Sequence, residues 1–482
     1  MNNLSQPLAG KMTGYRWMIC AMLFFATTVN YLDRQVLSLT WPRFIGPEFG
    51  WTNDDYGNIT AWFSILYAVC MLFAGKFVDW MDTKKGFLWA IGIWSVGACL
   101  HAYCGIATSG ILTGEWLVNF AEAKEIISHV GDGAMVVSVS VILFISARFV
   151  LALGEAGNFP AAIKATAEYF PKKDRAFSTS IFNSGATIGA MIAPASILYI
   201  AEMWGWETTF IIIGLLGFIW MAFWVFVYKK PERHPKVNAA ELAYIQQDKL
   251  TDRAVENEKS GRKLSFAQCF RFRQTWAFAF GKFMTDGVWW FYLFWMPKYL
   301  QTVFKLEGTA QVLPLTVLYT IVMISIYGGW LPSYFIGRKG MNPYAGRMRS
   351  MLIFAFFPLL ALFAQPLGGY SYWLPVIIIG IAAAAHQAWS ANIFSTVGDM
   401  FPKTAIATIT GIGGMAGGLG SFFIQKGAGK LFDYTGRTNM SFLGFEGEPS
   451  GYFMIFIFCA IAYLIGWIVM KSLVPKYKPI EL

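Results

Sequence analysis

Runs of about 20 apolar residues recur along the whole chain and are separated by short polar segments. An α-helix of this length crosses the hydrocarbon core of a bilayer. The apolar positions are continuous rather than alternating, which favours spanning helices over the strands of a membrane barrel. The pattern predicts twelve transmembrane helices, at 17–39, 57–78, 86–106, 134–158, 177–201, 206–228, 274–300, 311–336, 350–367, 371–395, 405–429 and 450–470.

Two long polar segments interrupt this pattern. The longer, residues 229–273, is dense in charges of both signs and divides the helices six and six. We therefore expect an N-terminal six-helix half over residues 1–228, a cytoplasmic linker over 229–273 and a C-terminal six-helix half over 274–482. A second insertion, at 107–133, carries four acidic residues against one lysine and is expected to form a short surface helix on the outside.

A weak internal repeat relates the two halves. Residues 168–172 read Glu-Tyr-Phe-Pro-Lys, and residues 399–403, which lie 231 positions later, read Asp-Met-Phe-Pro-Lys. The same offset aligns Glu155 with His386. A glycine-rich helix follows each motif, as suits helices that pack closely in lipid. Two similar halves joined by a long loop are typical of transporters whose substrate site lies between the halves.

The composition agrees with a membrane protein. Of the 482 residues, 56% are hydrophobic and only 14% are charged, against about 25% in soluble domains. Soluble enzymes, secreted disulfide scaffolds and disordered tails are therefore excluded. The six cysteines are scattered and the four histidines lie far apart, so we expect no disulfide framework, metal site or cofactor. A membrane enzyme would need a catalytic cluster, and the sequence contains none.

The net charge of +10 indicates orientation in a membrane rather than binding to nucleic acid, because the basic residues lie between apolar runs without stacking aromatics. Most of the 38 Lys and Arg residues fall in the N-terminal segment, after even-numbered helices and in the C-terminal tail. Basic loops stay in the cytoplasm. We expect a monomer in the inner membrane with both termini inside and no cleavable signal peptide.

A formal charge inside a predicted helix is costly unless it is paired or hydrated, and six such charges are candidates for function. Asn30, Asp33 and Arg34 share one face of the first helix. Arg148 and Glu155 are seven residues apart, about two turns, and share one face of the fourth helix. Two acids and two arginines on different helices form either a static ion-pair network or one that exchanges partners.

The second interpretation provides a coupling mechanism. If the guanidinium of Arg34 binds an incoming carboxylate through two hydrogen bonds, the interaction of Arg34 with Asp33 weakens. Asp33 can then accept a proton. This exchange would couple a proton to an anion without an ATP site. Lys282 and Asp286, four residues apart in the seventh helix, are expected to pair with each other, as a structural or a functional couple.

Further polar and aromatic side chains inside the predicted helices suggest contacts to a sugar-like ligand. An intramembrane His is also consistent with plain packing, and polar residues that line a wet cavity need not touch substrate. The candidates are His386, Gln387, Ser390 and Asn392 in the tenth helix, Asn183 and Ser184 in the fifth, Tyr67 in the second, Trp389, and the aromatic run that begins at Trp289.

At these positions the chain resembles the anion:cation symporter family of the major facilitator superfamily, and within it the hexuronate carriers. The resemblance covers nearly the whole chain. Its most specific pieces are Asn-Tyr-Leu-Asp-Arg at 30–34, Arg-Phe-Val-Leu-Ala-Leu-Gly-Glu-Ala-Gly-Asn-Phe-Pro at 148–160, Glu-Tyr-Phe-Pro at 168–171, Trp-Trp-Phe-Tyr-Leu-Phe-Trp-Met-Pro-Lys at 289–298 and His-Gln-Ala-Trp-Ser-Ala-Asn at 386–392.

The resemblance implies an all-α polytopic fold of two pseudo-symmetric six-helix halves that works by alternating access. It also implies residue roles. Asp33 and Glu155 would take protons and Arg148 would bridge these acids. Arg34 would hold the substrate carboxylate, and both Tyr31 and Tyr67 would reach the substrate.

From the residues and the resemblance together we expect a symporter that imports a sugar-acid monocarboxylate with protons, with galacturonate or glucuronate as the first candidates. Its partners are then the substrate anion, protons and the lipid bilayer. The alternatives are transport of a hexonate or another organic anion, and a facilitator without proton coupling. A transporter-derived sensor would need a larger soluble segment than residues 229–273 supply.

Overall fold

The structure, a computed structural model, describes residues 11–247, 266–401 and 403–480, and these residues are almost entirely α-helical. Helices α5 and α6 are the two parts of the continuous segment Lys172–Val227 on either side of Gly205. The other long helices are α1 Tyr15–Thr40, α2 Asn53–Met81, α3 Thr83–Ala102, α4 Gly133–Glu155, α7 Arg273–Phe304, α8 Gly308–Gly337, α9 Pro343–Gly368, α10 Trp373–Met400, α11 Lys403–Thr438 and α12 Glu448–Leu473.

The twelve crossings predicted from the sequence are confirmed. In the described part of the chain seven helical segments are long and apolar enough to cross a membrane, and α3 with the helix Cys104–Thr113, bent by 54°, makes an eighth. One of the seven contains two crossings, because Gly205 has φ 87° and ψ 162° and breaks the helix. The remaining three, α1, α7 and α11, are less apolar because they carry the intramembrane charges or many glycines.

The element boundaries differ from the predicted ones in several places. The fourth helix ends at Glu155, and a separate helix, Asn158–Tyr169, follows it. The insertion contains the expected short helix, Phe120–His129. The linker contains the helix Ala239–Gln246, and its residues 248–265 lie outside the described residues. A small antiparallel hairpin, Ser441–Phe442 with Phe445–Glu446, was not predicted.

Close packing of α1 against α5 positions the first half of the site. Gly185 of α5 lies so near α1 that an added Cβ would be 2.5 Å from the carbonyl oxygen of Phe24. One turn further on, an added Cβ at Gly189 would be 2.4 Å from the carbonyl oxygen of Thr28. Small residues permit this approach of two backbones in lipid, where van der Waals packing drives helix association.

The helices of residues 15–227 and those of residues 273–473 meet at one end of the molecule, which we call the sealed end. Asp433 of α11 accepts hydrogen bonds from the amide nitrogens of Asn53 and Asp54, at 3.0 and 2.7 Å. The hydroxyl of Tyr56 donates to the carbonyl oxygen of Phe294 at 3.0 Å. These bonds close the bundle where α1 passes into α2.

At the opposite end, which we call the open end, the described residues form fewer such contacts. The hydroxyls of Ser64 and Ser421 are 3.0 Å apart between α2 and α11. Beyond these serines, the described residues form no hydrogen bond or ion pair between the two sets of six helices. An added Cβ at Gly75 or Gly414 would meet nothing within 4 Å. Among the described residues, the hydrogen bonds between the two sets of helices are therefore concentrated towards the sealed end.

Candidate functional site

An ion pair between Arg34 of α1 and Glu155 of α4 forms the centre of the candidate site. Nε and Nη2 of Arg34 both donate to Oε2 of Glu155, at 3.0 and 2.6 Å. The two side chains are 2% and 0% exposed. The hypothesis that Arg34 holds the adjacent Asp33 is therefore wrong for this conformation. Consecutive residues of a helix do not face each other, and Glu155 faces Arg34 across the helix interface.

Several polar atoms around this pair have no hydrogen-bond partner among the described residues. They are both carboxylate oxygens of Asp33, Oε1 of Glu155 and Nη1 of Arg148. Arg148 was expected to bridge the two acids, but in the structure as described it forms no ion pair with Asp33 or with Glu155. Its guanidinium carbon lies instead 5.1 Å from the ring centroid of Phe63. The cluster therefore retains spare donors and acceptors for an additional partner.

Four aromatic rings surround the guanidinium of Arg34. Its central carbon lies 5.0 Å from the ring centroid of Tyr31, 5.8 Å from Phe63, 4.7 Å from Tyr67 and 4.8 Å from Trp290. Such ring faces attract a guanidinium electrostatically. Trp290 belongs to α7, whereas the other three rings belong to α1 and α2. The cation is thus shared between the two halves of the bundle.

Trp289, not Trp290, was predicted from the sequence to lie in the site. Trp289 stacks on His386 of α10, with the ring centroids 5.6 Å apart and the planes inclined by 4°. Adjacent residues of a helix point about 100° apart, so the rotation of α7 decides which ring faces Arg34. One signal was present, because Trp290 follows the charged Asp286 by four residues. Phe63 was also missed, and nothing distinguishes it within its apolar run.

The polar residues of α10 are partly occupied within the second half. Nδ1 of His386 lies 2.7 Å from the hydroxyl oxygen of Tyr463 in α12. Nδ2 of Asn392 donates to the carbonyl oxygens of Ala388 and Gly328, at 2.8 and 3.3 Å. Oδ1 of Asn392 has no partner in the described part of the chain. One acceptor on this helix therefore remains available.

Three other candidates remain accessible. Gln387 and Ser390 are half-buried, Asn183 of α5 is exposed, and no hydrogen bond from their side chains to another described residue is observed. Ser184 donates to the carbonyl oxygen of Ile181 at 2.7 Å, so its hydroxyl proton is used within its own helix. The first three side chains are free to bind water or a ligand.

Lys282 and Asp286 form the pair expected from their spacing. Nζ of Lys282 lies 2.7 Å from Oδ2 of Asp286, and 4.2 Å from the ring centroid of Phe394. Gly417 of α11 faces Asp286 so closely that an added Cβ would collide with the carboxylate. Within the described ranges, no group of three or more His, Cys, Asp or Glu residues could hold a metal ion.

Comparison with known proteins gives one consistent picture. A sequence profile described as the Major Facilitator Superfamily matches residues 23–424. The hexuronate transporter of Escherichia coli strain K12 is 28% identical over 468 residues, or 96% of this chain and 95% of that protein. The galacturonate transporter of Dickeya chrysanthemi is 25% identical over 327 residues, or 67% of this chain and 84% of that protein.

The fold has a similar counterpart among solved structures. A bacterial homologue of the human lysosomal transporter Spinster, in an inward-facing and occupied conformation, superposes with a TM-score of 0.68 at 17% identity. The superposition covers 98% of this chain and all of the other. The buried charges, the twelve crossings and the profile match agree, and the chain belongs to the Major Facilitator Superfamily as a membrane transporter rather than an enzyme.

Proposed function

We propose that this protein is a proton-coupled symporter that imports a sugar-acid monocarboxylate, with galacturonate or glucuronate as its substrate. The observation that carries the proposal is the buried Arg34–Glu155 ion pair beside Asp33, whose carboxylate has no partner among the described residues. Similarity to hexuronate and galacturonate transporters supports the choice of substrate.

Arg34 is the residue that binds the substrate carboxylate. Its two donors converge on one oxygen of Glu155, whereas a free carboxylate offers both oxygens to the planar fork. A substrate carboxylate can therefore replace Glu155 as the acceptor of these two donors. The rings of Tyr31, Tyr67 and Trp290 then lie against the sugar.

Release of Glu155 couples binding to a proton. A buried carboxylate without a cation is costly, so Glu155 either takes a proton or turns to the free Nη1 of Arg148. Asp33 competes for the same cation and already lacks a partner. One of the two acids must therefore be protonated while the substrate anion occupies Arg34, and the anion travels with at least one proton.

The second half supplies contacts to the sugar hydroxyls. Gln387, Ser390 and Asn392, whose Oδ1 has no partner among the described residues, lie on α10. His386 of the same helix stacks on Trp289 of α7. Asn183 of α5 adds a polar group from the first half. Rocking of residues 1–228 against 274–482 then exposes the site alternately, with the segment 229–273 as the tether.

The distribution of basic residues supports an orientation with both termini in the cytoplasm. In that orientation the sealed end, with Asp433 and Asn53, faces the outside of the inner membrane. The conformation described above then opens to the cytoplasm, and it is the state from which substrate is released.

Transport in proteoliposomes with labelled galacturonate and an imposed pH gradient tests this function. A symporter accumulates the label, and a protonophore abolishes the accumulation. Equilibration that ignores the gradient would instead indicate a facilitator. If unlabelled galactonate competed more strongly than unlabelled glucuronate, the substrate would be identified as a hexonate.

Glu155→Gln separates coupling from binding. The amide cannot exchange a proton, so we expect the variant to retain counterflow of galacturonate but to lose accumulation driven by the pH gradient. Glu125→Gln, which alters an exposed acid in the external helix Phe120–His129, serves as the control and should behave like the wild type. Full gradient-driven accumulation by Glu155→Gln would remove Glu155 from proton coupling.

A further inference from the structure

A cavity of about 780 Å³ lies between the beginning of α7 and the polar tail that follows α12. Residues 271–274 line one side and residues 473–480 line the other. Arg271 and Arg273 belong to the first wall, and Lys476 and Lys478 to the second. None of the described residues that line the cavity is acidic, so they concentrate positive charge at the open end of the bundle.

Acidic residues in the described part of the chain do not neutralise the four cations. None of them forms an ion pair with another residue of the described ranges. Asp399, whose carbonyl oxygen accepts a hydrogen bond from Tyr477 at 3.2 Å, is already paired with Arg347 at 2.6 Å. Among the described residues, the positive charge of the cavity is therefore uncompensated, as a site for an external anion requires.

Hydrogen bonds fix the polar tail that follows α12, so the wall it forms has a defined position. Nε2 of Gln274 donates to the carbonyl oxygen of Lys478 at 2.9 Å, which ties the tail to α7. The amide nitrogen of Ile480 donates to the carbonyl oxygen of Met400 at 2.8 Å, which ties it to α10. Lys476 and Lys478 are thereby kept opposite the two arginines.

The first turn of α7 adds to the attraction for an anion. The helix begins at Arg273, and the preceding Phe272 supplies no side-chain acceptor for the first amides. Free amides at a helix N-terminus carry partial positive charge. Trp276, on the same turn, is 52% exposed, as is usual for an aromatic residue at the level of the lipid headgroups.

We propose that this cavity binds a phosphate-bearing anion, supplied in the membrane by the headgroup of an anionic phospholipid such as phosphatidylglycerol. Basic pockets between transmembrane helices on the cytoplasmic side recognise such headgroups. The two arginines present planar forks to the phosphate oxygens, and the two lysines supply further point charges. A zwitterionic headgroup brings its own cation into the same space and binds more weakly. The proposal does not depend on which substrate the protein transports.

Native mass spectrometry of the full-length protein, released from nanodiscs that contain equal amounts of phosphatidylglycerol and phosphatidylcholine, tests the proposal. We expect retention of phosphatidylglycerol over phosphatidylcholine. The double variant Arg271→Gln/Lys476→Gln should lose this preference, with affinity falling about fivefold for each charge removed. The matched control is Arg338→Gln/Lys339→Gln, which removes two exposed cations between α8 and α9 at the same end of the bundle and should retain the preference.

A second experiment distinguishes a phospholipid headgroup from a free phosphate compound as the source of the phosphate. Equilibrium dialysis of labelled inorganic phosphate against the protein in a non-ionic detergent reports binding without lipid. Phosphate binding that the cavity variant abolishes, without any preference among the lipids, would identify a free phosphate compound as the occupant and still support the site. Absence of both kinds of binding, or equal losses in the cavity and control variants, would overturn the proposal.

Discussion

Individual contacts in the charge cluster decide which chemistry the site can perform. Arg34 faces Glu155 on another helix, while its neighbour in sequence, Asp33, is left without a partner among the described residues. The residue types and their helix faces were predictable from spacing. The partner of Arg34 was not, because it depends on how α1 and α4 are rotated and on how deep each lies in the bundle.

Arg34→Lys is expected to weaken substrate binding about 10-fold to 100-fold. The ammonium group lacks the paired donors with which a guanidinium binds both oxygens of a carboxylate, and it lacks the planar surface that contacts the aromatic rings. The concentration dependence of galacturonate counterflow measures this as a rise in KM. Arg437→Lys, at an exposed position near the end of α11, is the matched control and should leave KM unchanged. A wild-type KM for Arg34→Lys would exclude Arg34 from carboxylate recognition.

At the scale of whole helices, glycines determine how closely α11 approaches α7. An added Cβ at Gly420 would lie against the backbone carbonyl of Phe283, which cannot move aside like a flexible side chain. At Gly414, six residues earlier on the same helix, an added Cβ would meet nothing within 4 Å. Two glycines of one helix therefore have different structural roles, which composition does not reveal.

Gly420→Ala is expected to destabilise the protein by about 1–3 kcal/mol, the usual cost of overpacking a close contact. Because α7 carries Trp290 and the Lys282–Asp286 pair, we also expect slower transport. Thermal unfolding in detergent and initial uptake rates measure the two effects. Gly414→Ala should behave like the wild type in both assays, and equal behaviour of the two variants would contradict the packing argument.

The linker helix Ala239–Gln246 stabilises the beginning of α1. Glu241 accepts four hydrogen bonds there, from the hydroxyl of Thr13, from the amide nitrogens of Tyr15 and Arg16, and from the guanidinium of Arg16. α1 has no capping side chain of its own, so Glu241 acts as its cap. Burial by itself raises the pKa of Glu241, but these hydrogen bonds outweigh burial and leave the pKa below its usual value.

This pKa predicts a pH-dependent contribution to stability. A folded-state pKa below the ordinary 4.5 means that the carboxylate stabilises the fold above about pH 4.5 and that this stabilisation is lost as the pH falls through the lowered pKa. Glu241→Gln should therefore lower Tm at pH 7, and its difference from the wild type should shrink in acid. Glu115→Gln, at an exposed loop position, should change Tm at neither pH. A difference that stays constant with pH would contradict this account.

On the scale of the whole molecule, hydrogen bonds at the sealed end join the two halves in the conformation that the structure describes. Asp433 binds the two amide nitrogens at the beginning of α2, where a helix N-terminus favours an anion. The contact joins the two halves far from the charge cluster, and separation of the halves at this end requires that it break.

Asp433→Ala is expected to open the sealed end more often. In a background without the native cysteines, Asn58→Cys, next to this contact, should then react several-fold faster with a maleimide reagent in detergent. Gly414→Cys, towards the open end, reports on the opposite side and should not react faster when Asp433 is replaced. Equal labelling of Asn58→Cys with and without Asp433→Ala would show that this contact does not control opening.

Agreement with the sequence prediction is greatest for the long elements and smallest for short ones and for side-chain partners. The crossings were predictable because the bilayer thickness dictates the length of each apolar run. The hairpin Ser441–Phe442 with Phe445–Glu446 was missed because strands of two residues show no periodicity. Trp290 was missed because adjacent residues of α7 face different neighbours. Trp290 contacts Arg34, whereas Trp289 contacts His386.

The sequence by itself determined the number of crossings and the identity of the charges that must face inward, because lipid tolerates neither a short apolar helix nor an unpaired charge on its surface. Only the tertiary structure decided that Arg34 pairs with Glu155, that Trp290 joins it from the second half, and that one end of the bundle is sealed. These features depend on the rotation and depth of each helix, which result from the packing of all twelve helices together.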